Sequence, residues 1–484
     1  MRLSVLADKC GCFRVGEGGD PEITMISSDS RKVRPGCLFI AVQGYKETGL
    51  KYIHHAVQKH ASAVVVEHSY KNQLDPDLKV PVCYTDNARR CVLFASRAFY
   101  GFPSRSFQLI GVTGTNGKTT ITYMIEAFLK QAGKTPGVIG TVSYRYGKVV
   151  QTAGNTTPDP VDTQGLFSSM KNAGVSHVIM EVSSHALSMD RVFPADFDCA
   201  VFTNLSQDHL DFHSSMEEYF QAKSRLFTGL SEGAVAVINT DDPYGKKLYQ
   251  MTGVNKVSFG MKGKADYTAR SSSMDINGSV FTINGQQFSS RLPGEHNIYN
   301  ILAAFCVAGQ LGIESDAVTR GLDELKSIPG RMERVSEGKG FHVFVDYAHT
   351  PDALDHLLDA ARALGYGRII TVFGCGGDRD RGKRPIMGRI VEEKSDIAVV
   401  TSDNPRTEAP MDIINDIRKG LRRNSHLVVP SRREAIFRAV KMASTNDVVL
   451  IAGKGHEDYQ VLGEKKIHFD DREVARQAIR ELGK

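Results

Sequence analysis

Residues 107–120 read Phe-Gln-Leu-Ile-Gly-Val-Thr-Gly-Thr-Asn-Gly-Lys-Thr-Thr, an apolar strand running into a glycine loop. A helix is expected to open near Thr119, and the order strand, glycine loop, helix is the context a phosphate-binding loop requires. Gly114 and Gly117 allow the backbone to bend, so that N–H groups along Thr115, Asn116, Lys118, Thr119 and Thr120 turn towards an anion. The helix N-terminus adds favourable partial charge. Lys118 is placed to bridge the terminal phosphates of a nucleotide, and the Thr119 hydroxyl to hold a magnesium ion. The standard spacing has a glycine five residues before Gly117, where this chain carries Val112, so the loop is a variant. A phosphate loop by itself leaves kinases, motor ATPases and ligases open.

The rest of the chain sets bounds on the choice. At ~150 residues per domain, 484 residues suggest about three domains. The net charge of +5 is too small for a protein that coats nucleic acid and leaves no acidic tail. Hydrophobic residues at 41% and charged residues at 24% describe a globular chain able to bury real cores. No apolar run reaches the ~18 residues of a membrane span. The opening Met-Arg-Leu-Ser-Val-Leu-Ala-Asp-Lys lacks a secretory signal's apolar segment. Eight cysteines with no Cys-x-x-Cys pair argue for reduced thiols and a cytoplasmic protein.

Two turn-rich breaks divide the chain. They are Gly101-Phe102-Pro103-Ser104 and Ile328-Pro329-Gly330, which give segments 1–102, 103–329 and 330–484. The first alternates short strands (37–44 and 61–67) with helical stretches and ends in a helix-like run from Asn87. The second continues from the phosphate loop through strands at 177–182 and 199–205. A β-rich stretch, 255–292, and a helix from His296 complete it. The third repeats strand and helix with strands FHVFVDY, RIITVFG, DIAVVTS and DVVLIAG, the last followed by a loop. The expected fold is α/β: a small mixed domain, a central parallel sheet of the phosphate-loop ATPase type, and a C-terminal Rossmann-like parallel sheet.

Polar clusters sit where these strands end. In the middle segment they are Glu181-Val182-Ser183-Ser184-His185 and Asn204 through His213. Glu181 suits magnesium, while the His209 imidazole is an unusual addition for so hard an ion. Ser214, three residues before Glu217, is the signature of a capping box opening the next helix. Lys223 on that helix reads in isolation as one more solvated lysine. In the last segment four strand ends are polar: Asp346/His349, Gly376 to Lys383, Asp403 to Arg406, and Gly453 to Glu457. Ligands of open parallel sheets bind beyond the carboxyl ends of strands, so these clusters imply one crevice facing the phosphate loop.

Taken in order, several motifs resemble the Mur ligase family. They are Thr113-Gly-Thr-Asn-Gly-Lys-Thr-Thr120, Glu181–His185, Asn204–His213, Tyr219-x-x-Ala222-Lys223 and His296-Asn297-x-x-Asn300. Gly330-Arg331-Met332-Glu333 and Asp346-Tyr347-Ala348-His349-Thr350-Pro351 continue the series through the third segment. The family comprises ATP-dependent acid–amino-acid ligases that add residues to the UDP-muramoyl peptide in peptidoglycan precursor synthesis.

The resemblance implies roles by position. Lys223 matches a carbamylated lysine, which would join Thr119, Glu181 and His209 around magnesium. Lys118, Lys223, His209 and Glu181 then form the catalytic set. Asn297, Arg331 and Asp346 match positions at the adenine, phosphate and ribose ends of ATP. Ser28 and Ser30, in Ser-Asp-Ser-Arg, resemble the uridine-binding face of the subgroup that adds the third residue. Asn155, Thr156, Thr157, Ser183 and Arg191 match its contacts to UDP-N-acetylmuramoyl-L-alanyl-D-glutamate. Met189 stands where the subgroup often has glutamine, so that contact is not transferred.

Asp403-Asn404-Pro405-Arg406 resembles the subgroup's motif for meso-diaminopimelate, with Arg379, Gly453 and Glu457 beside it. No nucleic-acid partner is implied. Two alternatives stay open at this stage: folylpolyglutamate synthetase, which needs no uridine site, and a nucleotide-regulated binding protein. Ser28–Arg31 argues against the first, and the metal and C-terminal clusters against the second.

Overall fold

The structure is a computed structural model that describes residues 1–16, 18–44, 47–275, 277–335, 340–423 and 426–482. Its contacts group the chain into two compact units, Met1–Gly111 with Thr135–Cys199 and Arg225–Ala234, and Val112–Lys134 with Ala200–Ser224 and Val235–Lys484.

The first unit contains a five-stranded sheet. Met25–Ser27, Cys37–Ile40, Ala61–Glu67 and Val82–Thr85 run parallel, and Arg14–Val15 closes one edge antiparallel. Cys37–Ile40 is buried along its whole length because both faces of the sheet are covered. Leu3–Cys10 and Ala88–Phe99 cover one face, and Ile53–Gln58 the other. Ala88–Phe99 starts where the Asn87 side chain accepts from the Arg90 N–H at 3.0 Å. In the same unit His177–Glu181 pairs in parallel with Pro136–Ile139. Ser143–Tyr146 and Val149–Thr152 extend that sheet antiparallel. Helix Pro160–Asn172 follows and packs on Ala88–Phe99.

The second unit holds the phosphate loop and the C-terminal sheet. Helix Lys118–Gln131 leaves the loop and packs against Glu295–Gln310 and Ser315–Glu324. The glycine- and asparagine-rich stretch forms Asn255–Gly260, Tyr267–Asp275, Gly278–Ile283 and Gln286–Ser290, the last three an antiparallel meander. The C-terminal sheet has six strands in the order Glu333–Arg334, His342–Asp346, Val448–Ala452, Ile369–Phe373, Ile397–Val400, His426–Val428. All are parallel except the first, which pairs antiparallel at the edge. Separate apolar cores cover its two faces, which is why the central strands read as unbroken Val/Ile/Leu runs.

Three local features depart from the sequence reading. His426–Val428 is an extra edge strand, three residues long and only half-buried, too short to leave a pattern. After Val448–Ala452 the chain forms a hairpin, Tyr459–Leu462 with Lys465–His468, and a helix, Asp471–Glu481, where a loop was expected. Every residue of Lys465–His468 is exposed, so nothing in its hydropathy marks a strand. The cap before Lys223 also moves by one residue. Helix Met216–Thr228 opens with the Ser215 hydroxyl accepting from the Glu218 N–H, while the Glu218 carboxylate accepts from Ser214.

None of the eight cysteines forms a disulfide. Among the described residues no helix is long and apolar enough to cross a membrane.

Candidate active site

In the first unit, Glu181 organises one polar knot at the end of its strand. Its carboxylate accepts from the Thr141 N–H at 2.9 Å and the Thr141 hydroxyl at 2.8 Å, and that hydroxyl lies 3.0 Å from the Thr156 hydroxyl. Thr157 donates to the Glu181 carbonyl at 2.8 Å, and its oxygen accepts from the Ser183 N–H at 3.0 Å. Arg191 donates to the Thr157 carbonyl at 3.2 Å, and a second nitrogen reaches the Met189 sulfur at 3.4 Å. Asn155 is exposed, its backbone clamped by the Tyr144 hydroxyl. The structure thus brings Thr156, Thr157, Ser183 and Arg191 together around Glu181. Ser28 is exposed beside the turn, whereas Ser30 is buried with its hydroxyl 3.0 Å from His55 Nδ1. His55 had no signal of its own in the sequence.

In the second unit, the phosphate loop closes on itself. Gly114 has φ +145°, and a Cβ there would lie 1.8 Å from the Thr203 hydroxyl; Gly117 has φ +89°, with a Cβ position 2.3 Å from Asn300 Oδ1. Both positions therefore demand glycine for conformation and for space. The Lys118 ammonium donates to the carbonyls of Gly114 at 2.9 Å and Thr115 at 2.7 Å. Lys223 comes from Met216–Thr228 to the same Gly114 carbonyl, at 2.8 Å, and is only 1% exposed. Burial and the neighbouring Lys118 charge push its pKa well below that of an ordinary lysine, so it favours the neutral amine. The solvated-helix reading of Lys223 does not survive this placement. Asn297 is buried, donating to the Pro293 carbonyl at 2.7 Å.

Loops of the C-terminal sheet reach this phosphate loop directly. Arg331 donates to the Thr119 hydroxyl at 3.1 Å and stacks 4.7 Å from the Tyr347 ring centre. Asn116 donates to Asp352 at 2.7 Å, and Gln207 to Asp380 at 3.3 Å. Asp208 lies 3.6 Å from the Lys383 ammonium and pairs with His209 at 3.3 Å. Burial alone would raise the Asp208 pKa, but the charges of His209, Lys383 and His349 hold it well below the carboxylate range. Asp346 accepts from the N–H groups of Met332 and Ala348, both at 2.7 Å, and its burial raises its pKa.

The remaining strand ends converge beside these contacts. Asn404 donates to the Glu457 carboxylate at 2.9 Å and accepts from the Lys454 ammonium at 3.0 Å. Lys454 is fully buried, 3.1 Å from Glu457 and 3.7 Å from Asp403. Burial raises Glu457, whereas for Asp403 the charges of Lys454, Arg432 and His349 outweigh burial and lower its pKa. Gly453 has φ +118°, and a Cβ on it would sit 2.5 Å from Asp403 Oδ2. Arg406 adopts φ +53° and donates to the Gly377 carbonyl at 2.8 Å. Pro405 lies over Gly377, whose Cβ position would be 1.9 Å from the Pro405 carbonyl oxygen. Arg379 is exposed and donates to the Asp378 carbonyl at 3.0 Å.

His209, Met332, Asp378 and Arg406 are four of the non-glycine residues with positive φ, and each lies in a loop of this region. Such strain persists where the surroundings over-determine the backbone, which is the habit of ligand sites. Lys454 and the Asp208–Lys383 pair are the residues the sequence reading left unassigned. Their signal was present, since both lysines stand in strand-end clusters, but only packing reveals that they are buried.

Among the described residues, no group of three or more His, Cys, Asp or Glu side chains is arranged to hold a metal ion. Of the donors expected from the sequence, Thr119, His209 and Lys223 belong to the second unit and Glu181 to the first. The lowered pKa of the buried Lys223 amine is compatible with the expected carbamylation, because the unprotonated form is the one that adds to carbon dioxide.

A variant phosphate loop, contacted by residues of a parallel C-terminal sheet, has the geometry of a nucleotide-using enzyme of the α/β class. Family models describe the same chain in three stretches: the Mur ligase family catalytic domain over residues 22–99, the Mur ligase middle domain over 112–308 and the glutamate ligase domain over 330–455. The chain belongs to the Mur ligase family. It is 43% identical over 467 residues to the UDP-N-acetylmuramoyl-L-alanyl-D-glutamate–2,6-diaminopimelate ligase of Clostridium tetani, covering 95% of this chain and 96% of that one. With the enzyme of the same name from Solibacter usitatus the identity is 45%, over 96% of this chain and 94% of the relative. A solved structure of a ligase of that name shares 32% identity and a TM-score of 0.65, covering 96% of both chains.

Proposed function

We propose that this chain is an ATP-dependent ligase joining meso-2,6-diaminopimelate to UDP-N-acetylmuramoyl-L-alanyl-D-glutamate in peptidoglycan precursor synthesis. The observation that carries this reading is the near full-length identity of 42–45% to ligases of that name. It is supported by the Asp403–Arg406 strand end lying in the same compact unit as the phosphate loop. In this reading residues 1–102 take the UDP-muramoyl group, 103–329 ATP and 330–484 the amino acid. The enzyme works in the cytoplasm, where ATP and the nucleotide-linked precursor are available.

The reaction runs through an acyl phosphate. The D-glutamate side-chain carboxylate attacks the γ-phosphorus of ATP and ADP leaves. An amine of diaminopimelate then attacks the acyl carbon, the amide forms, and phosphate departs while the amine loses a proton. Lys118 and the loop N–H groups stabilise charge on the transferring phosphoryl group, as does Arg331 beside Thr119. Asn297 and Asp346 hold the adenine and ribose. Ser28, Ser30, Asn155, Thr156, Thr157, Ser183 and Arg191 hold the UDP-muramoyl dipeptide and aim its carboxylate. Asp403, Asn404, Glu457 and the Gly453 carbonyl accept from the ammonium groups of the amino acid, and Arg406 and Arg379 meet its carboxylates. Thr119, Glu181, His209 and Lys223 as its carbamate would hold magnesium, which when bound neutralises phosphate charge. The acyl phosphate must be kept from water, and closure of the C-terminal domain serves that purpose.

Phosphate release tests the reading. It is expected only when ATP, magnesium, the UDP-muramoyl dipeptide and diaminopimelate are all present, with equal amounts of ADP, phosphate and tripeptide product. Rapid ATP hydrolysis by the protein alone, indifferent to the dipeptide, contradicts it.

A further inference from the structure

Arg432 and Asp471 open two helices, Arg432–Met442 and Asp471–Glu481, and neither side chain is exposed at all. The guanidinium meets the carboxylate through two nitrogens, Nε at 2.8 Å and Nη2 at 2.7 Å. It also donates to two backbone carbonyls, Ala452 at 2.9 Å and Ser402 at 3.4 Å. Ala452 ends the strand Val448–Ala452, and Ser402 lies two residues beyond Ile397–Val400. In the sheet Ile369–Phe373 runs between those two strands, so one guanidinium spans the ends of strands that are not neighbours. The residues that follow the two carbonyls are Gly453 and Asp403. They are packed tightly: a Cβ on Gly453 would lie 2.5 Å from Asp403 Oδ2 and 3.8 Å from Arg432 Nη2.

We propose that Arg432, oriented by Asp471, is a positioning residue of the amino-acid site. It sets the distance between the Ser402–Asp403 and Ala452–Gly453 backbones, and so makes the Asp403 carboxylate and the Gly453 carbonyl a fixed pair of acceptors for one ammonium. This rests on reading 403–406 and 453–457 as the diaminopimelate site. Arginine suits the task because its rigid fork serves a carboxylate and two carbonyls at once, which a lysine ammonium on a flexible stem cannot do. A buried ion pair is a weak source of stability, since desolvation consumes most of its attraction. The geometry that links Arg432 to two site strands is therefore the better account of its presence.

The test uses the full-length enzyme and steady-state kinetics in all three substrates. The double variant Arg432→Met/Asp471→Leu removes both charges while refilling the space, a replacement that buried pairs generally tolerate without unfolding. Its KM for diaminopimelate is expected to rise at least roughly tenfold, because loosened acceptors lose their aim, while KM for ATP and for the dipeptide stays within about twofold. Arg432→Lys should fall between the double variant and the unmodified enzyme. An unchanged KM for diaminopimelate in the double variant overturns the proposal, leaving the pair a purely structural one. An equal rise in all three KM values overturns it as well, since that marks general loosening. If the double variant does not fold, Arg432→Lys decides by the same readings. Failure of the underlying assignment looks different: the unmodified enzyme would then not use diaminopimelate.

Discussion

Lys223→Ala is expected to lower kcat for ligation roughly 10²–10³-fold, the usual cost of deleting one group that stabilises developing charge. The protein should nevertheless keep its fold. Lys223 is buried with its amine on the Gly114 carbonyl and 4.6 Å from the Tyr219 ring centre, near the Lys118 charge that disfavours protonation. Alanine removes that amine and with it any carbamate, and leaves the apolar contacts of Tyr219 and Phe220 in place. Carbamylation joins the neutral amine to carbon dioxide and releases one proton, so the lowered pKa of Lys223 favours it. Formate or acetate should restore part of the lost activity by supplying a carboxylate to the vacated space. Circular dichroism and a thermal unfolding curve check the fold, and coupled phosphate release checks the rate. Normal ligation by the alanine variant would sink the assigned role of Lys223.

Arg406→Ala carries the second large effect, on selection of the amino acid. Diaminopimelate differs from L-lysine by a second carboxylate at its far end, and an arginine fork fits a carboxylate through two parallel bonds. Arg406 is prepared for this. Its N–H donates to the Val461 carbonyl at 3.1 Å, its own carbonyl accepts from the Gly463 N–H at 2.8 Å, and one guanidinium nitrogen is tied to Gly377. The side chain thus starts from a fixed backbone with strained φ. A cation there would also repel the terminal ammonium of lysine, so the expected discrimination combines repulsion with attraction. Losing the pair and stranding a carboxylate should cost ~2–5 kcal/mol, roughly 30-fold to several thousand-fold in kcat/KM for diaminopimelate. KM for ATP and the dipeptide should hardly change. The comparison of kcat/KM for diaminopimelate and lysine, on the unmodified enzyme and the variant, measures it. A preference of the unmodified enzyme for lysine would refute the assignment while leaving the ligase class intact.

Much of the molecule could be read one segment at a time. The run Phe107–Thr120 announced strand, loop and helix because glycine spacing and apolar continuity are local properties, and the strand Gln108–Thr113 and helix Lys118–Gln131 follow it closely. The C-terminal alternation was equally plain, since a parallel strand covered on both faces has to be apolar throughout. Elements without such a constraint escaped: the half-buried His426–Val428 and the exposed Lys465–His468 present no periodic face. The capping serine was misplaced by one position because Ser214 and Ser215 are equivalent on paper, and only the backbone turn chooses between them.

The amino-acid chain by itself therefore determined the α/β class, the phosphate loop, the order of the polar strand ends and the family to which they belong. These follow from residue type at fixed spacing, which needs no knowledge of neighbours far along the chain. Tertiary structure alone decided which polar groups are buried and whom they meet. Lys223 and Lys454 look like any surface lysine until packing removes their water, and Arg432 reaches Asp471, 39 positions further along the chain, to brace two strand ends. Charge, proton affinity and hydrogen-bond partner depend on desolvation and on long-range contacts, and neither is encoded in any single stretch of sequence.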